Sequence, residues 1–122
     1  SQWLPSLQRL TTICLFGSGL RKDPLEHFQD VLNLEKMILL EADEEEKLFF
    51  KAGGYGKFKK QELRRLQKLK RVRVEKNAMP CLQELMIVEC KQVDELPWGI
   101  QYLNKLQSLH LYIPGDQLIM KP

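Results

Sequence analysis

LQELMI at residues 82–87 returns 24 positions later as LQSLHL at residues 106–111. Earlier multiples of the same interval carry LEKMIL at 34–39, FKKQEL at 58–63 and LTTICL at 10–15. The columns read Leu10, Leu34, Phe58, Leu82, Leu106, then Ile13, Met37, Gln61, Leu85, Leu109, then Leu15, Leu39, Leu63, Ile87, Leu111. A fourth column, three residues before the first, is Leu7, Val31, Tyr55, Met79, Leu103. Only Gln61 breaks the apolar pattern at these twenty positions, far from chance in a chain with 43% hydrophobic residues.

The shared unit is L-x-x-L-x-L, the mark of a leucine-rich repeat, whose period falls at about 20–29 residues. In the L-x-L pair two side chains point to one side of a short strand. A single unit cannot bury that face; stacked units lay their strands in parallel and merge the leucines into one core. The expected fold is therefore an α/β leucine-rich-repeat solenoid with short parallel strands on a concave face. One domain accommodates the chain, as about five repeats of 24 residues near 4–27, 28–51, 52–75, 76–99 and 100–122. Gln61 stands at a core position, where unpartnered burial of an amide costs a few kcal/mol. It is expected to swing out or cap a backbone group, leaving the third strand the weakest or most distorted.

The return segments look unequal, mixing helix, loop and extended chain. DPLEHFQDVL at 23–32 predicts a short helix with Asp23 as N-cap, Pro24 at the first helical position and Glu26 closing a capping box. RVRVE at 71–75 alternates like a strand, with Val72 and Val74 inward and the arginines outward. KAGGYGKF reads as a Gly-rich turn, and ELPWGI carries a helix breaker at Pro97. Trp98 is expected to pack its ring over the convex side, an exposed anchor being the alternative. In LYIPGDQLIMKP, Pro114-Gly115 is read as a turn that lets Leu118 to Met120 close over the last leucines. The first unit begins at Leu4 without a polar cap, and with no initial Met, Ser1 is read as a cut or processed end.

A net charge of +3 conceals segregation. Glu41, Asp43, Glu44, Glu45 and Glu46 form an acidic cluster, and residues 57–76 hold ten Lys or Arg against two Glu. Within that basic stretch the inward positions are Phe58, Leu63, Leu66, Leu69, Val72 and Val74. Lys59, Lys60, Arg64, Arg65, Lys68, Lys70, Arg71 and Arg73 fall between them, as a solvated basic face or a patch for an acidic protein surface. Nucleic-acid recognition would need stacking aromatics or a groove-docking element, and neither is evident.

The three cysteines, Cys14, Cys81 and Cys90, lack metal spacing, and no Asn-x-Ser/Thr sequon occurs; both fit a reducing, intracellular setting. No apolar run approaches the roughly 18 residues of a membrane span. His27 and His110 have no nucleophile suggested by motif, FGSGL is not G-x-S-x-G, and the acidic run lacks the alternating ligands of a calcium loop. No enzymatic activity, cofactor or metal site is expected.

AMPCLQELMIVECKQVDELPWGIQYLNKLQSLHLY, residues 78–112, resembles the last leucine-rich repeats of plant intracellular nucleotide-binding leucine-rich-repeat immune receptors, especially the coiled-coil type. The likeness lies in A-M-P-x-L-x-x-L-x-I-x-x-C, then L-P-x-G-I, then L-x-x-L-x-x-L-x-L. LPSLQRLTTICLFGSGL, DPLEHFQDVLNLEKMILLE and KLFFKAGGYGKFKKQELRRLQKLKRVRVE are similar to the preceding repeats, so the likeness spans nearly all of the chain. Departures are Gln61 and Lys-Asn-Ala-Met around residue 77, where Lys-Gly-Ala-Met is usual. G-x-x-x-x-G-K-[ST] does not occur; AGGYGKF lacks its spacing and terminal hydroxyl.

The resemblance implies the sensing and autoinhibiting arm of a plant disease-resistance receptor. Its partners would be proteins: a pathogen effector, a guarded host protein or the receptor's own nucleotide-binding domain. Its place would be the cytoplasm, with the plasma-membrane periphery and the nucleus as alternatives. Cys90, where such repeats favour Asn or Cys, is expected to be a buried structural thiol.

In L-x-x-L-x-L geometry the intervening residues face the concave solvent side. One column is Cys14, Ile38, Glu62, Met86 and His110; the next is Phe16, Leu40, Arg64, Val88 and Tyr112. These apolar side chains exceed what a solvated surface requires and suggest contact with another protein. Two other readings stay open: a substrate-recognition arm of a ubiquitin ligase, and a nucleic-acid-binding module built on residues 57–76.

Overall fold

In the computed structural model, residues 11–16, 34–41, 46–53, 56–113 and 116–120 are described. The second apolar column of the repeat opens a strand pattern each time it recurs. The strands are β1 (Thr12–Phe16), β2 (Lys36–Leu40), β4 (Lys60–Arg64), β6 (Glu84–Val88) and β7 (Ser108–Ile113). They pair in parallel in that order, and their Cα partners are offset by 24 residues throughout: Ile13 faces Met37, Met37 faces Gln61, Gln61 faces Leu85 and Leu85 faces Leu109. A parallel neighbour cannot be reached by a tight hairpin, so each coil must travel around the core and return.

The entry to each strand is stitched in one way. The carbonyls of Thr11, Glu35, Lys59 and Gln83 each accept two N–H groups from the next coil, as in Glu35 N–H and Lys36 N–H onto Thr11 O at 2.8 and 2.9 Å. At the exits Glu41, Arg65 and Glu89 take left-handed φ values of 55°, 54° and 55°, bending the chain off the sheet at equivalent places.

Two return segments contain strands of a back sheet, β3 (Lys47–Phe50) and β5 (Arg71–Val74), again parallel with Leu48 opposite Val72 and Phe50 opposite Val74. Alternation in RVRV places both valines in the core and both arginines outside, as the sequence predicts. β3 has no such clear signal, since KLFF carries a third apolar residue, Phe49, on its outer side; the guanidinium of Arg73 lies 5.1 Å over that ring. In the next coil a bridge between Arg73 and Trp98 continues the back sheet, followed by a single 3-10 turn at Ile100–Tyr102. Three described returns thus make about three turns of a β-solenoid with almost no helix. The predicted helix at 23–32 lies outside the described residues.

Between the sheets lies one core. Met37, Leu39, Leu63, Leu85, Ile87, Leu109 and Leu111 enter it from the front, Leu48, Phe50, Val72 and Val74 from the back, and Leu34, Phe58 and Leu82 close one side. At roughly 25 cal/mol per Å² of apolar surface, this shared burial dominates the stabilising terms. Cys90 is in the core, its Sγ 3.6 Å from the Leu63 and Val88 carbonyls, and burial pushes its thiol pKa up. This is the inert structural thiol expected.

Gln61 corrects one expectation. It is fully buried and does not distort β4, which keeps five-residue register with both neighbours. Its Nε2 caps backbone groups, as one of the two expected alternatives had it, donating weakly to Met37 O at 3.4 Å and Glu62 O at 3.5 Å, while its Oε1 has no partner. Two flanking ladders hold the backbone in place more strongly than one poorly satisfied amide can displace it.

Trp98 is a second correction: its residue surface is 51% exposed rather than packed away. At the far end β8 (Asp116–Met120) runs antiparallel to β7, with Leu118 opposite Leu111, so it extends the front sheet sideways.

Candidate functional site

The outward face of the front sheet collects the residues between the leucines. Strand register aligns Cys14, Ile38, Glu62, Met86 and His110 in one row, and Phe16, Leu40, Arg64 and Val88 in the next. Tyr112 follows His110 by two positions on β7, its ring 6.4 Å from the imidazole and inclined by 15°. Cys14 is exposed, while Ile38, Leu40, Met86, Val88, His110 and Tyr112 are half-buried. The Phe16 side chain lies outside the described part of the structure.

The centre of this face is ionic. Glu62 is only 7% exposed; its Oε2 meets Lys36 Nζ at 2.9 Å and its Oε1 accepts a hydrogen bond from Arg64 Nε at 2.7 Å. Burial tends to raise the Glu62 pKa. The hydrogen bonds and charges of Lys36 and Arg64 outweigh that effect and hold it below the usual carboxylate value. Both oxygens are thus engaged within the chain, by Lys36 and Arg64. The triad separates two apolar pairs, Ile38 with Leu40 and Met86 with Val88. Nearby, Glu84 lies 3.9 Å from both Lys60 Nζ and His110 Nε2.

The basic stretch is also largely neutralised, by partners the linear sequence does not place beside it. Lys59 pairs with Glu35, Lys60 with Glu84, Lys70 with Glu46, Arg71 with Glu95, and Arg65 with both Glu41 and Glu89. Each of these partners stands 24 positions away, in the same column of an adjacent coil. Lys68 is exposed, and Arg73 covers Phe49. Of the acidic cluster, Glu46 is exposed and paired with Lys70, whereas Asp43, Glu44 and Glu45 lie outside the described residues. Glu35, Glu84, Glu89, Glu95 and Lys36 are the participants that block-by-block charge reading overlooks. Aligning charges at the repeat interval would have found all but Lys36, whose contact with Glu62 is diagonal.

Among the described residues no helix is long and apolar enough to cross a membrane, and no group of three or more His, Cys, Asp or Glu is placed to hold a metal ion.

Comparison with known proteins places this geometry in context. No protein-family model matches the chain, and no solved structure matches it significantly. Curated proteins of Arabidopsis thaliana do. A probable disease resistance protein is 32% identical over 111 residues, 90% of this chain and 12% of the relative. Disease resistance protein RPM1 is 32% identical over 117 residues, 96% of this chain and 12% of its own length. Disease resistance protein RPP8 is 29% identical over 103 residues, 84% of this chain and 11% of its own length. The chain therefore spans about one eighth of the relatives that it matches. Its repeat and its solenoid make it a leucine-rich-repeat segment, similar over most of its own length to plant disease-resistance proteins.

Proposed function

We propose that this chain is a protein-recognition surface of a disease-resistance receptor. Its outward front face engages a pathogen effector or a guarded host protein, and the same face helps to hold the resting receptor inactive through its nucleotide-binding domain. One observation carries the reading. Ile38, Leu40, Met86 and Val88 present accessible apolar surface around a charged triad whose groups satisfy one another. A partner docking there gains apolar contact without stripping water from an unpaired carboxylate.

The test uses the intact receptor in leaf tissue, scored for cell death with and without the pathogen it answers. Ile38→Glu and Met86→Glu are expected to abolish the triggered response, or to provoke cell death without a trigger where the resting contact is the one lost. Wild-type behaviour in both conditions, at wild-type protein level, overturns the proposal.

A further inference from the structure

Arg73 and Lys76, like the exposed Lys68 outside the groove, differ from most cations of the basic stretch. No carboxylate among the described residues pairs with either, whereas Lys59, Lys60, Arg64, Arg65, Lys70 and Arg71 each have one. Both line an open groove of about 360 Å³ on the back-sheet side. Trp98 and Tyr102 line the same groove and are the exposed large hydrophobic residues of the described chain, at 51% and 41%. Cations without a carboxylate partner and exposed aromatic residues coincide there.

The backbone explains why the Trp98 ring stays outside. Val74 N–H donates to Trp98 O at 2.6 Å and Trp98 N–H donates to Val72 O at 2.9 Å, so the residue is anchored as a strand. Gly99 then turns sharply with φ 87°, so close to β5 that a Cβ on it would sit 1.8 Å from Val74 O. Arg71 lies over the ring, 5.2 Å from its centroid. The groove's one carboxylate, Glu75, accepts a hydrogen bond from Ala52 N–H at 3.2 Å.

The geometry points to this groove as a docking surface for an acidic, extended peptide segment of a partner protein. Its carboxylates would meet Arg73 and Lys76, and an apolar side chain would lie against Trp98 and Tyr102. Such pairing of an aromatic anchor with rim charges is how protein interfaces concentrate affinity and select partners. Single-stranded nucleic acid fits less well. Backbone tracking calls for a run of free cations, whereas here the neighbouring Lys70 and Arg71 are neutralised. The surface lies across the core from the front face and is independent of the role proposed for that face.

The intact protein is to be tested against an immobilised array of hexapeptides, each with at least two Glu and one aromatic or aliphatic residue, beside the same peptides with Gln for Glu. Acidic members are expected to bind at least tenfold better than their Gln counterparts. Arg73→Glu with Lys76→Glu, both exposed positions, should remove that preference, as should Trp98→Ala; Trp98→Phe should retain most of it. Ile38→Glu on the front face should change nothing. Equal binding of acidic and Gln peptides, or binding indifferent to the double charge reversal in protein of unchanged circular dichroism, overturns the proposal. So does tighter binding of a labelled oligothymidine that depends on the same residues.

Discussion

Arg65 reaches back one full coil to Glu41, its Nη1 donating to Oε1 at 3.1 Å, while its Nε turns forward to Glu89 at 3.3 Å. All three residues occupy the left-handed bend at the end of a front strand. The hydrogen bond that Arg65 donates to Glu41, with the charges of Glu89 and Glu41, raises the Arg65 pKa.

Arg65→Glu would stack three carboxylates in one column. It is expected to lower the melting temperature more than Arg65→Gln does, and molar salt should close most of that gap because these side chains are exposed. Thermal melts of both variants at low and high salt check this.

Glu62 makes stability pH-dependent with a definite sign. Its folded pKa is depressed. Its contribution is therefore complete above the unfolded carboxylate pKa and is lost as pH falls through the lower folded value. Glu62→Gln should cost about 1 kcal/mol at pH 7, a modest figure because Lys36 and Arg64 are partly solvated. The difference should shrink in acid. Urea unfolding of both proteins between pH 7 and pH 3 measures it.

Gln61→Leu should stabilise the protein by about 1–2 kcal/mol, since it removes a buried oxygen without a partner at the cost of two long, weak hydrogen bonds. A higher urea midpoint with an unchanged slope is the expected result.

Gly99→Ala should be destabilising by about 1–3 kcal/mol from the left-handed backbone alone, before the clash with Val74 O is counted. Because that carbonyl belongs to β5, the substitution should also loosen the Trp98 backbone. Faster amide exchange at Val74 and Trp98 would show it.

Most of the front sheet was legible because its information is apolar, periodic and redundant: a row such as Ile13, Met37, Leu85 and Leu109 tolerates Gln61 as one exception. The β5 strand was legible from clean alternation. What escaped was either non-periodic or relational. KLFF gives no alternation to betray β3, and the exposure of Trp98 depends on how tightly Gly99 approaches Val74, which no local pattern records. Charge was misjudged for a different reason. Read along the chain, residues 57–76 are a basic block; read across coils, most of their charges have opposite partners, so the surface is far closer to neutral than the linear block implies.

That cross-coil matching constrains how such a chain can change. Hydrophobic rows and ionic columns carry the same 24-residue interval twice, so a one-residue slip inside a front strand would misplace leucines and charge partners together. An extra residue in a return loop can instead bulge outward and leave the rungs on either side stacked. Change in this molecule is therefore better tolerated in the returns than in the strands.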